Sequence, residues 1–307
     1  MKVTGNLPVI PTPFAGGAVE YAGLDRLLER TMEHLDGCVV CGSTGEAPAL
    51  TTAERIAVAR HICARLVPQK AVVVGLGHTS VADAAEIGRA AAEAGAQAAL
   101  VPSPYYFPNS FAMVIDFLGA VAERTDLDII FYDNPVTTKT VLTPEQLIAL
   151  GRAVPRVKGV KMTDHNMDKV RILKETTQLA VFGGDDIICF QAFMAGVDGN
   201  MIIAPAVYPA AFRECWQAFR SGDVERSFDI YARVLLPWIG MFGPGDEIAT
   251  TKALFHRLGI FASAETRPPL LASGARRVRE ALLGYRRGQA AYGDAEPVDF
   301  HDESLQK

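Results

Sequence analysis

Along the first two-thirds of the chain, short apolar runs alternate with longer amphipathic stretches. The runs Leu7–Pro11, Cys38–Cys41, Ala71–Gly75, Ala98–Val101, Ile129–Tyr132, Val157–Met162, Ala180–Gly183 and Gly199–Ile203 predict eight strands. They are apolar almost throughout, with little polar alternation, which is the pattern of strands buried on both faces. Between them lie helical spacings such as Thr52–Leu66, opened by a threonine cap with Glu54 nearby, and Ser80–Ala94, with Ala, Ile and Val along one side. Thr143-Pro144-Glu145 opens another helix, because proline fits a first turn where its missing N–H is not needed. Beyond about residue 222 the strand signals stop, and helices are predicted at Val224–Met241, Ile248–Leu258 and Ala275–Gly288. The polar, acidic segment Gln289–Lys307 predicts a loosely ordered tail.

Buried strands alternating with helices require a parallel sheet covered by helices. Eight such units predict an α/β fold, a (β/α)8 TIM barrel over residues 1–222, followed by a small C-terminal helical domain over 223–307. A doubly wound open sheet is the rival. It calls for a glycine-rich phosphate turn after its first strand, and Pro11-Thr12-Pro13-Phe14-Ala15-Gly16-Gly17 does not supply G-x-G-x-x-G.

Composition narrows the function. The chain has 307 residues, 49% hydrophobic and 21% charged, with a net charge of −5, so it offers no basic field to attract nucleic acid or anionic lipid. The start, Met1-Lys2-Val3-Thr4-Gly5-Asn6, lacks an apolar signal core, and no long uncharged apolar segment follows; a cytoplasmic protein with no membrane partner is expected. Five scattered cysteines argue against a disulfide framework. Cys38-Val39-Val40-Cys41 matches C-x-x-C, but residues three apart on a strand face opposite ways, so small core residues are the expected reading over a redox or zinc site.

In a barrel of this kind, reacting groups sit where strands end. Lys161 is the most informative residue there, one of only nine lysines against 21 arginines, and it shares a strand face with Val157 and Gly159 while Lys158 takes the other. An interior ammonium loses hydration, which favours a free amine able to attack a ketone; pairing with a carboxylate or reaching solvent is the alternative. Tyr132 ends the preceding strand, and a phenol beside an amine can relay the protons that imine formation requires. Gly42-Ser43-Thr44-Gly45-Glu46 follows another strand, where Ser43 and Thr44 offer hydroxyl and backbone donors suited to a carboxylate, with Thr44 placed to extend the relay towards Tyr132. The alternative is an ordinary turn with Glu46 exposed. Asp185 and Asp186 have no histidine nearby in sequence, and no metal site is assigned.

Together, Gly42-Ser43-Thr44-Gly45-Glu46, Tyr132-Asp133-Asn134-Pro135 and Gly159-Val160-Lys161 resemble the carboxylate loop, tyrosine motif and Schiff-base strand of the dihydrodipicolinate synthase and N-acetylneuraminate lyase family of class I aldolases, in order and spacing over roughly residues 5 to 260. The resemblance implies that Lys161 forms an imine with pyruvate or a related 2-oxo acid, that Tyr132 and Thr44 relay protons, and that the main chain at Met201 lines the pyruvate pocket. It also implies that Tyr106 enters a neighbouring subunit's site, hence a homotetramer built as a dimer of dimers, and that no organic cofactor or metal is needed.

Three positions depart from the family pattern. Thr137 stands where lysine-pathway synthases carry an arginine for the second substrate, Met162 replaces an acidic residue, and Asp133 replaces an asparagine. Without a guanidinium the bidentate carboxylate clamp is missing, and Lys139 would be a poor substitute. The polar loop Thr163-Asp164-His165-Asn166 is either solvated or suited to a hydroxylated substrate. The favoured expectation is a pyruvate-dependent lyase that forms or cleaves a C–C bond with an aldehyde. Synthase activity on aspartate semialdehyde, dehydration of a 2-keto-3-deoxy sugar acid, a non-catalytic keto-acid sensor and a metal-dependent aldolase are the alternatives.

Overall fold

The computed structural model describes residues 3–242 and 245–293. They divide into two compact units, one of residues 3–10 and 35–203, the other of 11–34 and 204–293. The boundary expected at residue 222 falls inside the second unit.

The first unit holds eight parallel strands: β1 (Gly5–Asn6), β2 (Gly37–Val40), β3 (Ala71–Gly75), β4 (Ala98–Pro102), β5 (Asp128–Asp133), β6 (Val157–Met162), β7 (Ala180–Gly183) and β8 (Gly199–Asn200). Each pairs with its neighbour in sequence, β8 pairs with β1, and a parallel bridge between Val9 and Val39 joins the end of the series to its start. The result is the (β/α)8 barrel. Its interior packs Leu7, Val9, Val39, Val73, Leu100, Ile130, Tyr132, Phe182 and Met201, all buried. The first strand precedes the expected Leu7–Pro11 run: along that run Pro8 and Pro11 lack the N–H that a regular ladder needs, while Leu7 and Val9 still donate to the carbonyls of Asn200 and Ile202 and Val9 keeps an isolated bridge to Val39.

Local sequence chemistry sets the helices between strands. Thr51 and Glu54 cap the helix Thr52–Leu66 reciprocally, Thr143 and Gln146 do the same for Pro144–Ala153, and Ser80 caps Val81–Glu93. Each cap satisfies otherwise orphaned N–H groups and stabilises its helix by about 1 kcal/mol. Phe111–Ala122, the short Pro135–Thr138, Met167–Thr176 and Cys189–Ala195 are the other α-helices of this unit among the described residues. Cys38 and Cys41 are both buried, and burial pushes the Cys41 thiol up to about 12, as a core reading requires.

The second unit contains a two-stranded antiparallel hairpin, Phe14–Ala15 with Ala18–Val19, and the helices Tyr21–Thr31, Pro209–Arg220, Glu247–Arg257 and Ala275–Tyr292. Tyr208 stacks on Tyr285 with centroids 5.3 Å apart beside the buried Trp238. The single helix expected at Val224–Met241 is interrupted: Val224–Ile230 passes through a π-helical turn, Tyr231–Leu235, into Leu236–Ile239. Pro237 explains the bulge, because it removes one backbone donor and its ring crowds the preceding turn. The last helix runs beyond the expected Gly288 to Tyr292, where the Tyr292 hydroxyl donates to Glu214 at 2.8 Å. The tail expected from Gln289 is therefore helical at its beginning, and residues 294–307 lie outside the described residues. No described helix is long and apolar enough to cross a membrane.

Candidate active site

Parallel pairing brings the carboxyl ends of all eight strands to one rim. Lys161 lies near the end of β6, its Cα opposite Tyr132 of β5 on one side and Phe182 of β7 on the other. Lys158 is exposed on the outer face while Lys161 is buried at 4% exposure, as period-two geometry predicts. The Lys161 ammonium lies 4.3 Å from the centroid of the Tyr132 ring. Among the described residues it has no hydrogen bond and no ion pair. An amine in that position has an electron-rich face beside it and no carboxylate holding its charge.

Glycine at position 184 makes room for this side chain. A Cβ there would sit 3.0 Å from Lys161 Cε and 2.6 Å from the carbonyl oxygen of Met162. Sequence reasoning saw Gly183-Gly184 only as a strand end; the close approach appears once β6 and β7 are paired.

The loop after β2 turns sharply, with Cys41 and Glu46 both at φ 54°. Gly45 permits the turn, since its Cα packs against backbone: an added Cβ would stand 3.2 Å from the Ile10 carbonyl oxygen. Ser43 is exposed and Thr44 half-buried, while Glu46 is buried, unlike the exposed glutamate of an ordinary turn. Neither the backbone N–H nor the hydroxyl of Ser43 or Thr44 donates to another described residue. Four donors are thus left for an anion at the rim. Behind this loop, Arg55 is buried and donates to the carbonyls of Gly75 and Gly77 at 2.8 and 3.0 Å, fixing the end of β3.

Tyr132 and Met201 belong to the same apolar interior, and Tyr132 adjoins Lys161. No hydrogen bond joins Tyr132 to Thr44 among the described residues. Thr137 is exposed in the short helix Pro135–Thr138, its N–H and hydroxyl turned to Asn134 at 3.4 and 3.5 Å. Lys139 is exposed and donates to the Val136 carbonyl at 2.7 Å, a point charge without the planar bidentate geometry of a guanidinium. Tyr106 is 86% exposed with φ 90°, beside Phe107 at 5.0 Å, and Asn109 braces this loop through the carbonyls of Pro104 and Phe107 and the hydroxyl of Thr140.

Sequence reasoning missed Lys169. It is buried on the helix after β6, 3.2 Å from Asp133 and 2.6 Å from Asp164. Burial pushes the Asp133 carboxyl up and Lys169 pulls it back. Asp133 therefore belongs to an ion cluster behind the strand. An i+5 acid–base spacing from Asp164 was the only signal in the sequence.

A family model described as the dihydrodipicolinate synthetase family matches residues 2–281. Among curated proteins, 4-hydroxy-tetrahydrodipicolinate synthase 1 of Streptomyces coelicolor is 31% identical over 293 residues, covering 94% of this chain and 93% of its own length. The 4-hydroxy-tetrahydrodipicolinate synthase of Hydrogenobaculum is 29% identical over 254 residues, covering 82% and 88%. The crystal structure of dihydrodipicolinate synthase from Aquifex aeolicus superposes with a TM-score of 0.86 at 27% identity, covering 93% of this chain and 99% of that one. The chain belongs to the dihydrodipicolinate synthetase family.

Proposed function

We propose that this protein is a pyruvate-dependent class I aldolase that acts through an imine on Lys161. The observation that carries the reading is a buried lysine, 4% exposed, against the face of Tyr132 and without an ion pair among the described residues. The amine attacks the keto carbon of pyruvate, whose carboxylate is taken by the free donors of Ser43 and Thr44. Two protons convert the former carbonyl oxygen to water as the imine forms, and Tyr132 is the group placed to pass them. The imine nitrogen then accepts the electron pair released when a proton leaves the methyl carbon, giving an enamine. That carbon attacks an aldehyde, and hydrolysis frees the lysine and the product; cleavage is the same sequence reversed. The electron sink is the imine itself, so the scheme calls for neither an organic cofactor nor a metal.

A second, narrower reading is 4-hydroxy-tetrahydrodipicolinate synthase, favoured by the names of the curated relatives. Thr137 weighs against it, because it puts a hydroxyl where a guanidinium would clamp a second carboxylate. The exposed Tyr106, Phe107, Val136 and Val141 support assembly with further copies of the chain, as the homotetramer expected from the tyrosine loop requires. The same reading places the enzyme in the cytoplasm, with small molecules as its other partners.

Incubation with pyruvate and borohydride tests the proposal. A reduced adduct mapped by mass spectrometry to Lys161 is expected, and its absence overturns the reading.

A further inference from the structure

The loops that follow β6 and β7 meet next to the reactive lysine. Gly184 abuts Lys161, and the next residue, Asp185, accepts from His165 Nε2 at 3.0 Å on Oδ2 and from the Ile187 N–H at 2.9 Å on Oδ1. A carboxylate oxygen only accepts, so Nε2 is the ring nitrogen that carries the proton. The imidazole is thereby held in one orientation. Its Nδ1 makes no hydrogen bond among the described residues, and the side chain is 61% exposed. In the neutral ring Nδ1 is an acceptor.

The charges around it select what it accepts from. Asp164 is taken up by Lys169 at 2.6 Å, Asp186 receives the Ile203 N–H on both oxygens at 3.1 Å, and Lys139 is turned back on its own helix. Asp185 itself remains beside the ring. An acceptor carrying its own carboxylate therefore meets like charge, with no guanidinium paired to Asp185 among the described residues, whereas an uncharged acceptor bearing a hydroxyl meets a positioned hydrogen-bond acceptor.

We propose that His165, oriented by Asp185, is the specificity-determining residue for the second substrate, its Nδ1 accepting from a hydroxyl of an uncharged hydroxyaldehyde. Asp185 is a positioning residue. The inference rests on the aldolase reading above.

Initial rates with pyruvate and glyceraldehyde, propanal or aspartate semialdehyde test it, with borohydride trapping of pyruvate run alongside. The expected result is that glyceraldehyde is the best of the three acceptors, and that His165→Ala raises its KM about tenfold, the worth of one hydrogen bond. The KM for pyruvate and the kcat/KM for propanal stay within about twofold, because propanal has no hydroxyl to lose. Asp185→Ala raises the glyceraldehyde KM with kcat little changed, and Asp185→Asn restores it, since the amide oxygen still accepts from Nε2. The proposal is overturned if aspartate semialdehyde is preferred, or if His165→Ala affects glyceraldehyde and propanal alike. An adduct that forms at Lys161 in the wild type and in every variant confines such a failure to the specificity claim. No adduct in the wild type brings down the aldolase reading, and this inference with it.

Discussion

Lys161 and Lys169 are equally hidden, at 4% and 3% exposure, and belong to consecutive elements of one strand–helix unit. Their company differs completely. Lys169 lies within ion-pair distance of both Asp133 and Asp164, whereas Lys161 has an aromatic face at 4.3 Å and no carboxylate among the described residues. Burial alone therefore says little about what a lysine does. A paired ammonium ties helix to strand; an unpaired one beside a phenol has its nitrogen available for chemistry.

Replacing each lysine should separate the two roles. Lys161→Ala is expected to abolish the pyruvate adduct and lower turnover by roughly 10⁴-fold or more, as loss of a covalent nucleophile does. Its thermal midpoint should stay level or rise, since no ion pair is broken; a large fall in Tm would erase the contrast. Lys169→Ala should instead destabilise the fold by about 3–5 kcal/mol, because it strands the buried Asp133 carboxylate. The penalty should depend on pH. Asp133 already has its folded pKa raised above the unfolded value, so the native state holds that proton more tightly, and stability from this group is present on the acid side and lost as pH rises. Removing Lys169 takes away the opposing attraction, so denaturation curves should show the largest loss at neutral pH and a smaller one towards about pH 4.

Tyr132→Phe probes the aromatic half of the comparison. It keeps the ring beneath the amine and removes only the hydroxyl, so kcat should fall by about 10²-fold with little change in KM for pyruvate, read from steady-state kinetics. The smallest effect is expected at the cysteines. With thiols raised to about 11 at Cys63 and about 12 at Cys41, alkylation of the native protein near neutral pH should leave both unlabelled by mass spectrometry and activity unchanged.

Much of this arrangement was written in the apolar pattern. Seven of the eight runs overlap the barrel strands, the first falling just beyond its strand, and strand period two put Lys161 and Lys158 on opposite faces before any pairing was known. The loop proposed to take the carboxylate stood out because glycines, hydroxyls and a strand end coincide at Gly42–Glu46. What escaped depends on contacts across elements. Lys169 with Asp133, and His165 with Asp185, are 36 and 20 residues apart in sequence, and no local rule pairs them. The bulge before Pro237 was hidden because helical periodicity reads straight through a single extra residue. The end of the last helix was hidden by its polar composition, since the Tyr292–Glu214 bond that holds it there is tertiary.

The Val9–Val39 bridge has a consequence for how the barrel comes apart. Around most of the circumference neighbouring strands are laced over several residues, but here three backbone hydrogen bonds, Asp36 N–H to Asn6, Val39 N–H to Pro8 and Ile10 N–H to Val39, carry the closure. The circle thus has a seam. Amide exchange should report that seam unzipping first, while β5 and β6, with the lysine and its tyrosine, remain protected far round the ring from where the opening starts.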